Sequence, residues 1–134
     1  MVKEYLAKII AKDAQGLQLI SAYCFGAKTK TNQIKFLKKN KIFLISLERF
    51  SHEKNKEKIN SICKFEFVDN VKSKNINQKN KDEIFELLAV DFFKKTESYD
   101  ITLLFKNNRF ITLSAEILEV TLEDQNIEKK WLKY

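Results

Sequence analysis

Few side chains in this sequence are of the types that act as acid, base, nucleophile or metal ligand, and their spacing does not combine them. His52 is the single histidine and lies in the polar run Ser51-His-Glu-Lys-Asn55. A serine–histidine relay is assembled in space, so the adjacency of Ser51 and His52 has no catalytic meaning, and His52 reads as a surface residue. Cys24 and Cys63 sit alone in apolar stretches with no C-x-x-C pair. They share no ligand spacing with His52 and read as buried free thiols. Glu116, Glu119, Glu123 and Asp124 form the densest carboxylate group. On a strand, Glu119 and Glu123 share a face with Ile117 and Thr121, which is the pattern of a solvated face and not of an acid–base pair. Gly16 and Gly26 are the only glycines, so neither a P-loop nor a dinucleotide-binding fingerprint can be built. No metal or cofactor is expected.

Arg49 and the lysines are the better candidates for binding. Arg49 follows a wholly apolar strand and stands between Glu48 and Phe50. It reads either as an anion clamp or as a guanidinium paired to a carboxylate at a sheet edge, and partly buried arginines are usually paired. All but Arg49 and Arg109 of the 25 basic residues are lysine. With abundant Asn, Ile and Phe, this is the composition of an AT-rich genome, and lysine lacks the fork with which arginine reads phosphate and guanine. Between Ala14 and Leu47 there are six lysines and no carboxylate. Four of them, Lys35, Lys38, Lys39 and Lys41, surround Phe36 in the manner of a stacking platform for single-stranded nucleic acid. Phe36 is expected in the core, however, which leaves weak Lys-mediated attraction to a polyanion.

Charge is divided along the chain. Residues 1–81 hold 18 basic and 7 acidic side chains, and residues 82–134 hold 7 and 11. The two parts are complementary in sign, so they can neutralise each other within one molecule or between two. A homodimer is expected on this ground, with Leu118–Leu122 as a sheet edge available for pairing.

Several elements must position these residues. Tyr5–Ala11 reads as a strand. Asp13 is a plausible N-cap for a helix over 14–24, with Leu17, Ile20 and Cys24 as its buried stripe and Gly26 as a left-handed stop. Ile34–Leu37 and Ile42–Leu47 read as a hairpin with Asn40 at positive φ, Phe36 facing Phe43 and Ile34 facing Ile45. Residues 42–47 are apolar on both faces, the mark of a central strand. Cys63, Phe65 and Phe67 alternate with charges, and Lys72–Lys81 reads as a polar connection. Asn80 and Glu83 resemble a capping box opening a second helix with Ile84, Leu87 and Leu88 as its stripe, running into a strand over Ala89–Phe93. Ile101–Lys106 and Arg109–Ser114 form a hairpin about Asn107-Asn108, and Leu118–Leu122 alternate as a last strand. The tail through Trp131 is charged. The predicted core includes Phe65, Phe67, Leu103 and Phe105. An offset of 68 residues lays 38–48 over 106–116 and 17–22 over 85–90, which would make a duplicated helix-plus-hairpin unit.

At 134 residues and 44% hydrophobic, the chain is expected to be a single domain over 1–134. The fold class is α+β, a mostly antiparallel sheet curled into a roll or barrel with two short helices. A pleckstrin-like barrel is the alternative, although it would place its main helix at the C-terminus. The first residues lack the apolar core of a signal peptide, and no stretch approaches the roughly 18 apolar residues of a membrane span, so the cytoplasm is the expected location.

Leu19-Ile-Ser-Ala22, Glu48-Arg-Phe50, Val71-Lys-Ser-Lys-Asn-Ile76 and Leu87-Leu-Ala-Val90 with Phe92 resemble the bacterial family catalogued as domain of unknown function 2948. These are small proteins found mainly in alphaproteobacteria. The resemblance spans nearly the whole chain, with Asn107-Asn108 where that family tends to place glycines, and it implies no activity. The function expected from the residues is a non-enzymatic binding or self-association module. A weak polyanion binder comes second, and a small-molecule enzyme third.

Overall fold

The structure is a computed structural model and describes residues 7–50 and 58–125. His52 and the tail with Trp131 lie outside the described residues. The elements in chain order are β1 (Lys8–Ala11), α1 (Ala14–Cys24), β2 (Lys28–Lys30), β3 (Ile34–Leu37), β4 (Ile42–Phe50), β5 (Lys58–Phe65), β6 (Val68–Lys74), β7 (Ile84–Lys94), β8 (Tyr99–Phe105), β9 (Arg109–Ala115) and β10 (Val120–Asp124). Single 3-10 turns at Thr31–Gln33 and Lys38–Asn40 flank β3.

Helix α1 follows from its ends and its stripe. The Asp13 carboxylate accepts a hydrogen bond from the Gly16 N–H at 2.8 Å, satisfying one free donor of the first turn. Leu17, Ile20 and Cys24 are the buried positions. Gly26 leaves the helix at φ 80, a conformation that costs glycine nothing. A side chain at Gly16 would meet the Ala11 backbone at 2.9 Å, so the helix lies directly against the end of β1.

All strand pairs are antiparallel, in the order β1-β10-β5-β4-β2-β7-β8-β9-β6, with β3 pairing β4 beside β2. This sheet cannot lie flat. From β5 to β6 it crosses six strand spacings, about 29 Å at roughly 4.8 Å each. The chain joins the same two strands through Glu66 and Phe67 alone, a reach of roughly 11 Å. The sheet therefore folds back, and its two halves share one core. Phe43 and Phe65 meet edge to face at 5.8 Å in one half, and Phe85 and Phe105 meet at 5.7 Å in the other. β1 and β6 remain unpaired to each other, so the sheet is open and not a closed barrel.

The β3–β4 hairpin has the expected register, Phe36 opposite Phe43 and Ile34 opposite Ile45. Its positive φ falls on Lys41, at 57°, and not on Asn40, because the turn closes with a 3-10 turn over 38–40. Asn107 and Asn108 both take positive φ, 68° and 59°, as a tight hairpin turn requires.

Four expectations are corrected. The second helix is strand β7: Phe85, Leu87 and Val90 are buried, and a bulge between Leu87 and Ala89 changes their spacing from two to three. That bulge imitates helical periodicity, and pairing with β2 and β8 overrides the capping signal at Asn80. Helix residues 17–22 consequently overlay a strand at the offset of 68, and the helix-plus-hairpin unit is not repeated. Phe67 is 37% exposed because it forms the bend between β5 and β6 at φ 59. The last strand is no edge, since β10 lies between β1 and β5.

Phe105 is fully buried, and Phe105→Ala is expected to cost roughly 3–5 kcal/mol in denaturant unfolding. Gly16→Ala should also destabilise, by about 1–3 kcal/mol, since Ala11 backbone has no room to yield.

Candidate functional site

Strand alternation gives β1, β10, β5, β4 and β3 an inner face of core residues and an outer face on which no helix of the described residues packs. The register sets the outer face out in rows. One row runs Ile10, Thr121, Lys64, Leu44, Lys35, and beside it Glu66 and Glu119 stand near Ile42 and Leu37. Ile10 is 56% and Leu37 41% exposed, while Ile42, Leu44 and Ile62 are half-buried. A cleft of about 400 Å³ opens over β1, β10 and β5, with Ile10, Ile62 and Thr121 in it and charges around them.

The charges come as neighbours of opposite sign. Lys8 reaches Glu123 at 3.6 Å and Lys12 reaches Glu119 at 3.7 Å. Glu66 hydrogen-bonds Glu119, which raises its pKa above the usual carboxylate range, with partial burial adding to the shift and Lys64 opposing it. Glu119 and Glu123 do lie on an exposed face, as strand parity requires.

Asp124 does not. It continues the inward parity of Val120 and Leu122, and its carboxylate meets Arg49 beneath the cleft. Arg49 Nη2 lies 2.6 Å from Asp124 Oδ2, and Nε lies 3.0 Å from Oδ1, with both side chains wholly buried. Ser61 Oγ donates to Oδ1 at 2.5 Å, and the Ala7 N–H donates to Oδ2 at 2.8 Å. The guanidinium lies 5.2 Å from the centre of the Tyr23 ring. Burial pushes the Asp124 pKa up, but hydrogen bonds from Arg49, Ser61 and the Ala7 amide outweigh it and hold the group below its ordinary value. Arg49 is thus paired in the interior and not at a sheet edge. Ser61 is not singled out in the sequence, and Asp124 is grouped there with the exposed glutamates, although the alternation Val120, Leu122, Asp124 contains the signal.

Of the six lysines of residues 28–41, Lys35, Lys38, Lys39 and Lys41 all fall on the β3–β4 hairpin. Lys35 lies exposed on β3, and Lys38 and Lys39 lie in the 3-10 turn. Lys41 Nζ bridges Asp69 at 3.1 Å and Glu116 at 3.4 Å, which raises its pKa. Its carbonyl accepts from the Val68 N–H at 2.8 Å, so Lys41 ties the β3–β4 turn to the β5–β6 bend. Cys24 and Cys63 are buried free thiols; burial pushes Cys24 up to about 12 and Cys63 well above its usual value. Among the described residues no three His, Cys, Asp or Glu side chains are grouped to hold a metal ion, and no helix is long and apolar enough to cross a membrane.

Among the described residues, fold and surface together define an α+β protein with a mostly antiparallel sheet, one helix and a charge-rimmed sheet face on which no helix packs. Residues 7–132 match the family described as protein of unknown function (DUF2948), and the chain belongs to that family. No curated protein and no solved structure matches it.

Arg49→Leu strands a buried carboxylate and is expected to cost about 3–5 kcal/mol. Because the Asp124 pKa is lowered on folding, its contribution is complete above the unfolded value of roughly 3.9 and is lost as pH falls through the folded value. Urea unfolding from pH 7 to acid should show the stability gap between wild type and Asp124→Asn narrowing only in that acid range. Neither cysteine should react with iodoacetamide at neutral pH until the protein unfolds.

Proposed function

We propose that the protein is a non-enzymatic binding module that associates with a second copy of itself through the outer face of β1, β10, β5, β4 and β3. The observation that supports this most is β4, which is apolar on both sides. Phe43, Ile45 and Leu47 enter the core, while Ile42 and Leu44 extend towards Ile62 on the uncovered face. With Ile10 and Leu37 this makes an apolar strip bordered by charges, the composition of an interface with a polar rim. Among the described residues Ser61 and both thiols, which could serve as nucleophiles, are sealed in the interior. The complementary halves of the chain meet at Lys8–Glu123, Lys12–Glu119 and Lys41–Glu116 within one molecule, so association rests on the apolar strip more than on charge.

Light scattering coupled to size exclusion, in low and high salt, tests this. A dimer mass that persists in high salt is expected. Ile10→Lys with Leu37→Lys, both at exposed positions, should return the protein to a monomer without lowering its melting temperature. A wild-type monomer at tens of micromolar in both salts would overturn self-association.

A further inference from the structure

Two groups of lysines lie towards opposite ends of β6 and β9. At one end the β3–β4 turn, the β5–β6 bend and the β9–β10 connection are bound together: Lys41 C=O to the Val68 N–H, Phe67 C=O to the Glu116 N–H, and Glu119 C=O to the Glu66 N–H. Positive charge there is offset by Asp69, Glu116, Glu66 and Glu119.

The opposite end is different. Residues 28–33, 74–83 and 106–109 are far apart in sequence, yet the structure pins them side by side. The Asn32 N–H donates to Lys81 C=O at 3.2 Å, and Asn75 Nδ2 donates to Asn108 C=O at 2.7 Å. Arg109 reaches Glu83 at 3.4 Å. Ile76 packs against the core and anchors the longest of the three segments. Lys30, Lys74, Lys79, Lys81 and Lys106 are all exposed here. Among the described residues, none of the five is in an ion pair. The carboxylates of these segments are Asp82 and Glu83, and Arg109 occupies the second.

We propose that this end is a docking surface for duplex nucleic acid, held through its phosphates. It is separate from the face proposed for self-association. Three features favour this partner. The charge is concentrated on five lysines that form no ion pair among the described residues, and such charge is what a dense row of phosphates attracts. The three segments contain no Phe, Tyr or Trp, so unstacked bases would find no platform, whereas a duplex keeps its bases inside and presents phosphates. Lysines, as point charges, and the amides of Asn32, Asn77 and Asn107 bind phosphate oxygens without reading sequence. Because the loops are held in place by the bonds above, little ordering is left to pay on binding.

Fluorescence anisotropy with a labelled random-sequence DNA duplex tests the surface. Binding is expected at about 50 mM salt and should weaken roughly 10²- to 10³-fold by about 200 mM, as five neutralised phosphates require. Changing Lys30, Lys74, Lys79, Lys81 and Lys106 together to Gln should weaken binding at least about tenfold at the lower salt, with the mass in light scattering unchanged. Changing Lys35, Lys38 and Lys39 to Gln should leave it within about twofold. If the fivefold variant melts lower than wild type, Lys81→Gln and Lys106→Gln as single variants should each still weaken binding. No binding at the lower salt, equal loss from both sets of lysines, or polyglutamate binding as tightly as the duplex would overturn the proposal, the last in favour of an acidic polypeptide.

Discussion

Glu66 and Phe67 have to carry the chain from the middle of one half-sheet to the far edge of the other, and most of the architecture follows from how short that tether is. Two residues cannot span a flat sheet of this order, so the sheet must fold back on itself. The bend is held from both sides: Glu66 by β10's approach, Phe67 by Glu116, and Val68 by Lys41. Phe67 takes a left-handed conformation that is costly for a bulky side chain, a cost tolerated because the surrounding bonds overdetermine it. Folding back also creates the shared core in which Phe43, Phe65, Phe85 and Phe105 pack, and among the described residues no helix covers the outer face of β1, β10, β5, β4 and β3.

Much of this was legible in the residues. Alternation and turn chemistry located α1, the β3–β4 register and the Asn107-Asn108 hairpin, because each rests on neighbours within a few positions. What escaped depends on partners far away. The bulge in β7 gave Phe85, Leu87 and Val90 a spacing that reads as helical until β2 and β8 are in place. The end of β6, residues 72–74, reads as part of the polar connection Lys72–Lys81 because this edge strand pairs with β9 alone among the described strands. Arg49 was recognised as a residue needing a carboxylate, but its partner stands 75 positions away. Asp124 was grouped with exposed glutamates although its parity is that of Leu122. The fold-back itself is invisible to local pattern, since it comes from strand order and a short connection.

The division of charge along the sequence becomes a division between ends of the molecule. Lys41, which belongs to the carboxylate-free stretch, meets Glu116 of the acidic part. The lysines of residues 74–81 travel along β6 to the other end, where acidic side chains are few. A sum over the chain describes neither end. The two proposed surfaces, the apolar strip and the lysine end, share no residues.

Strand β1 has one neighbour, β10, and the guanidinium on β4 has its counter-charge on the same strand. The first strand and the buried arginine therefore both wait for the last strand to be made. A chain emerging from the ribosome can close the β3–β4 hairpin and the β8–β9 hairpin early, but one flank of the sheet stays without its middle strand until residue 124 has appeared. The contacts that complete it are long in sequence and therefore slow to form, so this flank is expected to close after both hairpins have formed.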